Sequence, residues 1–380
     1  MIGKPRKKNK VLVPNEMCEA KYIGKIFGKF HEHSGVFNIF TTDMIQSGLE
    51  CEELGAIVSV NNTDNEKYDS KSLIGIWNGE CLSFEHQGEK YEIERYSLVQ
   101  NIFSRNTGIL ESSIMRDKEV IILGCGSVGS LVALQLAKSG VGNFLLVDND
   151  IVEYHNLCRH QCGISDVGRY KTDALKDRIL NINASAKVTC EVSTVEMLRK
   201  EVFDKHCVKE KTIIVGCADN RAADVYANSI AVMYKVPFIS IGFWERAFAG
   251  EIFYYLPEQN MPCYKCALGD GGELSNRTNA NRRIYTNEED LSKVVFEPGI
   301  AADIDFVTTV GIKLILDILN RNSDGYTIRL LDSLQQYTLV CNTNKSEIGG
   351  DMAEIFSYPL QVTTSLKVAH CTGCPPCEFE

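Results

Sequence analysis

The run Glu119-Val120-Ile121-Ile122-Leu123-Gly124-Cys125-Gly126-Ser127-Val128-Gly129 decides the fold. Glu119–Leu123 is a short apolar stretch rich in β-branched side chains, as suits a strand buried on both faces. Gly124, Gly126 and Gly129 then make a G-x-G-x-x-G turn into a helix expected over 127–139. Glycines at these positions let backbone amides approach a phosphate, and the helix dipole favours the anion. A second strand, 144–147, ends at Asp148, about twenty residues on, where a carboxylate accepts hydrogen bonds from ribose hydroxyls. Up to this point a dinucleotide and ATP both fit.

Outward from this core the chain keeps alternating. A helix is predicted over Lys171–Ile182, strands over 212–215 and 238–241 around a helix at Arg221–Tyr234, and a late apolar helix over 305–319. Strands between 327 and 341 are expected to finish the sheet. Alternation of this kind predicts an α/β fold with a Rossmann-like, doubly wound, mostly parallel sheet. Before it the pattern differs. Met17, Tyr22, Ile23, Ile26 and Phe30 recur at helical spacing and predict a helix over 16–30, followed by short β-prone runs at 56–60, 73–77 and 91–93. The expectation is a small α+β N-terminal domain over 1–100 and a larger domain over 101–380.

Composition narrows the function. The chain has 380 residues, 44% of them hydrophobic, enough for two ordinary cores. Fifty acidic residues against 40 Lys and Arg give a net charge of -10, which disfavours a nucleic-acid surface. The basic run Lys4, Arg6, Lys7, Lys8 and Lys10 reads as a solvated tail. The apolar run 307–319 is interrupted by Lys313 and Asp317, so no membrane span is expected, and the first residues lack the apolar core of a signal peptide. Cytoplasmic residence follows as the expectation. Fifteen cysteines, an odd count, argue for free thiols and metal ligands over a disulfide framework.

The residues after Asp148 separate the nucleotide readings. Asp148-Asn149-Asp150 leads to Asn156-Leu157-Cys158-Arg159-His160-Gln161 and Gly168-Arg169-Tyr170-Lys171, and later to Gly216-Cys217-Ala218-Asp219-Asn220. Hydride transfer has no use for this set. Adenylation brings two anions together, and Arg, Lys and a carboxylate-held Mg²⁺ are the groups that screen them.

From about residue 101 onward these runs resemble the ThiF/MoeB/HesA superfamily, which includes ubiquitin-activating enzymes and microcin-type peptide adenylating enzymes. The resemblance implies a ubiquitin-activating-type adenylation domain that uses ATP and Mg²⁺. In it Gly124, Gly126, Gly129, Asp148 and Asp150 bind the nucleotide, Asn156, Arg159 and Lys171 hold the phosphates, and Asp219 holds the Mg²⁺. The Arg159–Lys171 spacing is one residue shorter than in many members, and His160 stands before the Gln that usually follows the Arg directly. Arg105, in Phe103-Ser104-Arg105-Asn106, matches the arginine that reaches across a homodimer to the partner subunit's triphosphate. The partner implied is a ubiquitin-like protein, a sulfur-carrier protein or a peptide.

Cys263-Tyr264-Lys265-Cys266 and Cys371-Thr372-Gly373-Cys374-Pro375-Pro376-Cys377 supply two C-x-x-C elements, a spacing suited to tetrahedral zinc. The resemblance selects Cys263, Cys266, Cys374 and Cys377, with Cys371 in reserve. Between 267 and 340 there is no cysteine to take up an acyl group as a thioester, and Cys125, Cys158 and Cys217 are expected to pack in nucleotide-binding turns. Cys341 is the remaining candidate. His31-Glu32-His33 with Asp43 falls one residue short of a JAMM-type isopeptidase zinc site, so the N-terminal domain is read as a partner-recognition module. Two rivals stay open: a non-catalytic scaffold that binds nucleotide and a ubiquitin-like partner, and an NAD-dependent oxidoreductase.

Overall fold

The computed structural model describes residues 7–60, 72–218, 220–244, 247–269, 299–342, 362–374 and 377. Two compact units result, Met1–Arg105 with Asn183–Ser185, and Asn106–Ile182 with Ala186–Glu380.

The first unit is a closed barrel of seven strands: β1 (Lys10–Pro14), β2 (Gly24–His31), β3 (Val36–Ile39), β4 (Glu52–Ser59), β5 (Leu73–Asn78), β6 (Cys81–His86) and β7 (Glu89–Tyr96). Around it run three five-residue helices, α1 (Asn15–Glu19), α2 (Thr42–Gln46) and α3 (Leu98–Ile102). Val11, Ile26, Phe37, Leu73, Trp77 and Phe84 fill the interior. The helix expected over 16–30 is therefore wrong beyond Glu19, and most of that segment is strand. Tyr22, Ile26 and Phe30 are four apart, a spacing that satisfies a period of 2 as well as one of 3.6. Gly28 decides between them: β2 pairs antiparallel with β3 so closely that a Cβ at Gly28 would lie 1.9 Å from the Asn38 carbonyl oxygen.

The second unit holds an eight-stranded sheet in the order β10-β9-β8-β11-β12-β13-β14-β15. Its strands are β8 (Glu119–Leu123), β9 (Asn143–Val147), β10 (Lys187–Glu191), β11 (Thr212–Gly216), β12 (Phe238–Phe243), β13 (Ala249–Tyr255), β14 (Tyr337–Cys341) and β15 (Val362–Leu366). Pairing is parallel from β10 to β12 and antiparallel from β12 to β15. The chain starts in the middle at β8, moves outward to β10 and returns to β11 on the other side of β8. That reversal leaves a crevice at the carboxyl ends of β8 and β11.

Helices α4 (Ser112–Arg116), α5 (Ser127–Lys138), α6 (Lys171–Ile182), α7 (Lys200–His206), α8 (Arg221–Tyr234), α9 (Tyr264–Leu268) and α10 (Ala301–Asn320) complete the unit. Strand residues alternate between two cores. Val120 and Ile122 pack with α5 and α10, whereas Ile121 and Leu123 pack with α8 and α9. Burial on both faces is why β8 reads as an unbroken apolar run. The α/β expectation holds, with Lys171–Ile182 and Arg221–Tyr234 helical as read.

Between 327 and 341 only Tyr337–Cys341 is strand. The amides of Arg329, Leu330 and Leu331 donate instead to Oδ2 of Asp317, at 3.1, 2.6 and 3.1 Å, while Tyr326 donates to Oδ1 at 2.7 Å. A fully buried carboxylate on α10 thus takes the hydrogen bonds a sheet ladder would have used. Among the described residues no helix is long and apolar enough to cross a membrane.

Candidate functional site

The glycine turn sits at the crevice. Gly124 has φ +91°, and a Cβ there would come 2.8 Å from the Ala218 amide nitrogen, so the turn presses on the β11–α8 connection. A Cβ at Gly129 would lie 1.9 Å from the Gly124 carbonyl, which fixes the start of α5 onto the loop. At Gly126 added atoms would meet nothing within 4 Å. Two of the three glycines therefore permit close packing, and the third leaves room above the loop.

Asp148, at the end of β9, accepts from the Cys125 amide at 2.7 Å and from the Asp150 amide at 2.8 Å. Lys171, at the start of α6, donates from Nζ to Oδ2 of Asp150 at 2.8 Å, with its side chain only 11% exposed. Asn156 spends its Oδ1 on the Glu153 amide at 2.8 Å, closing a one-turn helix. Arg159 is half-buried, and its Nη1 lies 3.9 Å from where a Cβ on Gly299 would be. The sequence-predicted Asp148, Asp150 and Lys171 thus meet beside the glycine turn. Asp219 lies outside the described residues, as do Lys4 and Arg6. Arg105 falls in the first unit, in an exposed turn after α3.

His160, noted in the sequence only as a departure from the family spacing, ties the corner together. Its Nδ1 accepts from the Cys162 amide at 3.0 Å, so the proton sits on Nε2 and is donated to the Cys125 carbonyl at 2.6 Å. Burial lowers its pKa, and the Lys171 charge adds to that effect.

Behind this corner lies a second group of buried polar side chains. Asp224 on α8 accepts from Ser240 Oγ at 2.6 Å, and burial pushes its carboxyl up to about 7. Glu251 on β13 accepts from Tyr337 Oη at 2.7 Å, Arg221 Nη2 at 3.3 Å and Trp244 Nε1 at 3.4 Å. Neither carboxylate stood out in the sequence.

The cysteines fall into distinct settings. Cys263, Cys266, Cys374 and Cys377 bring their sulfurs within 4.8 Å of one another. Sγ–Sγ distances of 3.7 Å (Cys263–Cys266), 3.4 Å (Cys263–Cys374) and 3.6 Å (Cys266–Cys377) are close to the ~3.8 Å edge of a tetrahedron with Zn–S of ~2.3 Å. The donor set and spacing fit zinc. Cys371 stays outside the four: its amide donates to Cys266 Sγ at 3.2 Å and its thiol to the Cys266 carbonyl at 3.4 Å. Burial raises the Cys266 thiol, but the Cys371 amide and the neighbouring thiols outweigh it and leave the pKa lowered.

Burial drives Cys125 and Cys217 far from ionisation. Cys158 departs from expectation: it is exposed, its thiol donating to the His155 carbonyl at 3.3 Å. Cys341 is fully buried on β14 with its pKa pushed up to about 11, an unreactive setting for a thiol. His31, Glu32, His33 and Asp43 are all exposed and form no metal-sized group among the described residues.

A model of the ThiF family matches residues 100–338. Over 308 residues the chain is 33% identical to the adenylyltransferase and sulfurtransferase MOCS3 of Dictyostelium discoideum, covering 73% of this chain and 68% of that protein. It is 27% identical over 261 residues to the MOCS3 of Drosophila virilis, covering 62% of this chain and 55% of the other. Against the sulfur carrier protein ThiS adenylyltransferase of Escherichia coli K12 it is 29% identical over 158 residues, 41% of this chain and 61% of that one. The chain thus spans little more than half the length of two of these relatives. Among solved structures, E. coli MccB with MccA-N7isoASN superposes with a TM-score of 0.50 at 22% identity, over 73% of this chain and 75% of that one, a likeness of fold. With the family match spanning well over half of it, the chain belongs to the ThiF family.

Proposed function

We propose that this chain adenylates the C-terminal carboxylate of a ubiquitin-like protein, a sulfur-carrier protein or a peptide. One observation carries the reading: within a ThiF-family domain, the glycine turn, Asp148 and Lys171 share one corner at the crevice of a doubly wound sheet. In this reaction a carboxylate oxygen of the partner attacks the α-phosphorus of ATP. The P–O bond to the β-phosphate breaks, and acyl-AMP and pyrophosphate result. The glycine turn offers its amides to the phosphates, Asp148 orients the ribose, and Arg159 and Lys171 neutralise charge on the departing pyrophosphate. Lys171 exchanges Asp150 for phosphate when nucleotide enters. Asp219 is assigned to Mg²⁺, which when bound screens the phosphate charge. Cys263, Cys266, Cys374 and Cys377 are assigned to a structural zinc.

Residues 267–340 contain no cysteine, and Cys341 is fully buried with its pKa pushed up to about 11, so we assign the chain to the class that stops at acyl adenylate or passes it to an external acceptor. We read residues 1–100 as a partner-recognition module; a closed barrel offers loops and outer faces for this, since its strands are already paired. Arg105 is assigned to a neighbouring subunit's triphosphate in a homodimer.

The test is ATP–pyrophosphate exchange with a panel of small ubiquitin-like proteins, sulfur-carrier proteins and short peptides. Exchange should require one of them and fall about 10²–10³-fold in Lys171→Ala. Mixing inactive Arg105→Ala and Lys171→Ala chains should restore activity if Arg105 acts across a dimer. Exchange by Lys171→Ala at wild-type rate would remove the site assignment. Nucleotide binding with no exchange for any partner would favour the scaffold reading.

A further inference from the structure

One buried side chain joins the metal-binding cysteines to the nucleotide turn. Tyr264 stands between Cys263 and Cys266 at the first position of α9 and grips α8 at two places one turn apart. Its amide donates to Asn228 Oδ1 at 2.7 Å. Its ring packs edge-on against Phe253 and Phe238, with centroids 5.2 and 6.0 Å away, and carries the hydroxyl to Asp224 and Ser240. Burial pushes the Asp224 carboxyl up, and hydrogen bonds from Ser240 and Tyr264 act against it.

Asp224 in turn reaches the nucleotide side. It lies in the first turn of α8, and its Oδ1 covers Gly216 so closely that a Cβ there would stand 2.1 Å away. Its Oδ2 accepts from Ser240, the residue paired with Gly216 across β12 and β11. Directly after Gly216, the Cys217 amide donates to the Leu123 carbonyl at 2.8 Å and Gly124 presses on Ala218. Contacts therefore run without a break from the cysteines, through Tyr264 and Asp224, to the turn that abuts the glycine loop. Stability alone does not call for them. A buried carboxyl is costly, and the buried Asn228 spends its oxygen on Tyr264 while its Nδ2 has no partner among the described residues.

We infer that Tyr264 is a positioning residue that couples the two sites, an inference that rests on the zinc and nucleotide assignments above. With metal on the four cysteines, Tyr264 is fixed, holds Asp224 against Gly216, and so sets the β11–α8 turn for nucleotide. Without metal, Cys263 and Cys266 are tied to Cys374 and Cys377 only by weak thiol contacts, and the tyrosine loses its anchor. Coupling of this kind is reciprocal. Nucleotide that fixes the turn also fixes Tyr264, and with it the geometry of the flanking sulfurs.

The experiment uses the full chain with Co²⁺ in place of zinc, because the ligand-field bands of Co²⁺ report the geometry of its four thiolates. It is titrated with Mg²⁺ and a non-hydrolysable ATP analogue. Saturation should shift the bands in wild type and leave them fixed in Tyr264→Phe, which keeps the ring and loses only the hydroxyl. Calorimetry on the zinc-loaded chains should show the analogue bound about tenfold more weakly by the variant. Ser240→Ala, which takes the other donor from Asp224, should weaken both effects and decides the matter if Tyr264→Phe does not fold. A metal centre that only stabilises the fold would leave the bands unmoved by nucleotide. Fixed bands in saturated wild type, an undiminished shift in the variants, or an unchanged affinity in them would each overturn the inference. A chain without cobalt–thiolate bands would overturn the zinc assignment, and one with the bands but no analogue binding the nucleotide assignment, each taking the inference with it.

Discussion

The nucleotide corner and the cysteine corner of the second unit are held in opposite ways. In the first, four polar side chains already have partners from nearby chain. Asp148 takes two amides, Lys171 takes Asp150, Asn156 takes the Glu153 amide, and His160 bridges Cys125 and Cys162. All of it comes from 124–171. In the second, Cys263 and Cys266 meet Cys374 and Cys377 from 111 residues away, and what joins the pairs is sulfur against sulfur at 3.4 and 3.6 Å. Thiol–thiol contacts are weak, whereas four thiolates on a zinc ion are strong. One corner is organised ahead of its ligand, and the other is spaced to be organised by one.

This contrast breaks first, and most visibly, at the cysteines. Removing zinc with a chelator, or replacing Cys263 by Ser, should cost on the order of 10 kcal/mol of apparent stability. Thermal unfolding would show it, alongside metal analysis expected to give one zinc per chain. Freshly purified protein without zinc would remove the distinction between the corners.

An intermediate effect is expected behind the nucleotide corner, at Asp224. Its folded-state pKa is raised by burial from 3.8 to about 7, so the folded chain holds that proton more tightly than the unfolded one. The associated stability is complete below about pH 4 and is lost as pH rises through 7. Asp224→Asn cannot ionise, so relative to wild type it should gain a few kcal/mol between pH 4 and pH 8. Urea unfolding at both pH values measures this, and a difference that stays constant would mean Asp224 titrates normally.

The smallest effect is assigned to His160. His160→Ala strips two hydrogen bonds from the glycine turn and its flank, costing about 1–2 kcal/mol at pH 8. Because the folded-state pKa is lowered, by burial first, the neutral ring's contribution is present above the unfolded value of about 6.5 and lost as pH falls through the folded one. The deficit of the variant should therefore shrink on acidification. A deficit that grows toward pH 5 would show that the ring is charged in the fold, and that this corner is not pre-paired as described.

What was legible in the sequence was what local patterns encode. Glu119–Leu123 and Lys171–Ile182 have one reading each, since a strand buried on both faces is apolar throughout and an amphipathic helix repeats every 3.6 residues. The offset from the glycine turn to Asp148 is likewise fixed by the length of one strand–helix–strand unit. Ambiguity entered where two periods coincide, as at Tyr22, Ile26 and Phe30, and where a distant group outbids the ladder, as Asp317 does for the amides of 329–331.

The sequence by itself determined an α/β chain with a glycine turn, a carboxylate in register with it, and two cysteine pairs of metal-binding spacing. The tertiary structure alone decided that β2 is a strand, because only the Asn38 carbonyl tells Gly28 what it must be. It also decided that His160 holds the Cys125 carbonyl and that Arg221 lies on Glu251, 35 and 30 residues apart in the chain. Such pairs leave no periodic trace. Each partner is satisfied by a residue whose distance along the chain is set by the fold, not by the geometry of a single helix or strand.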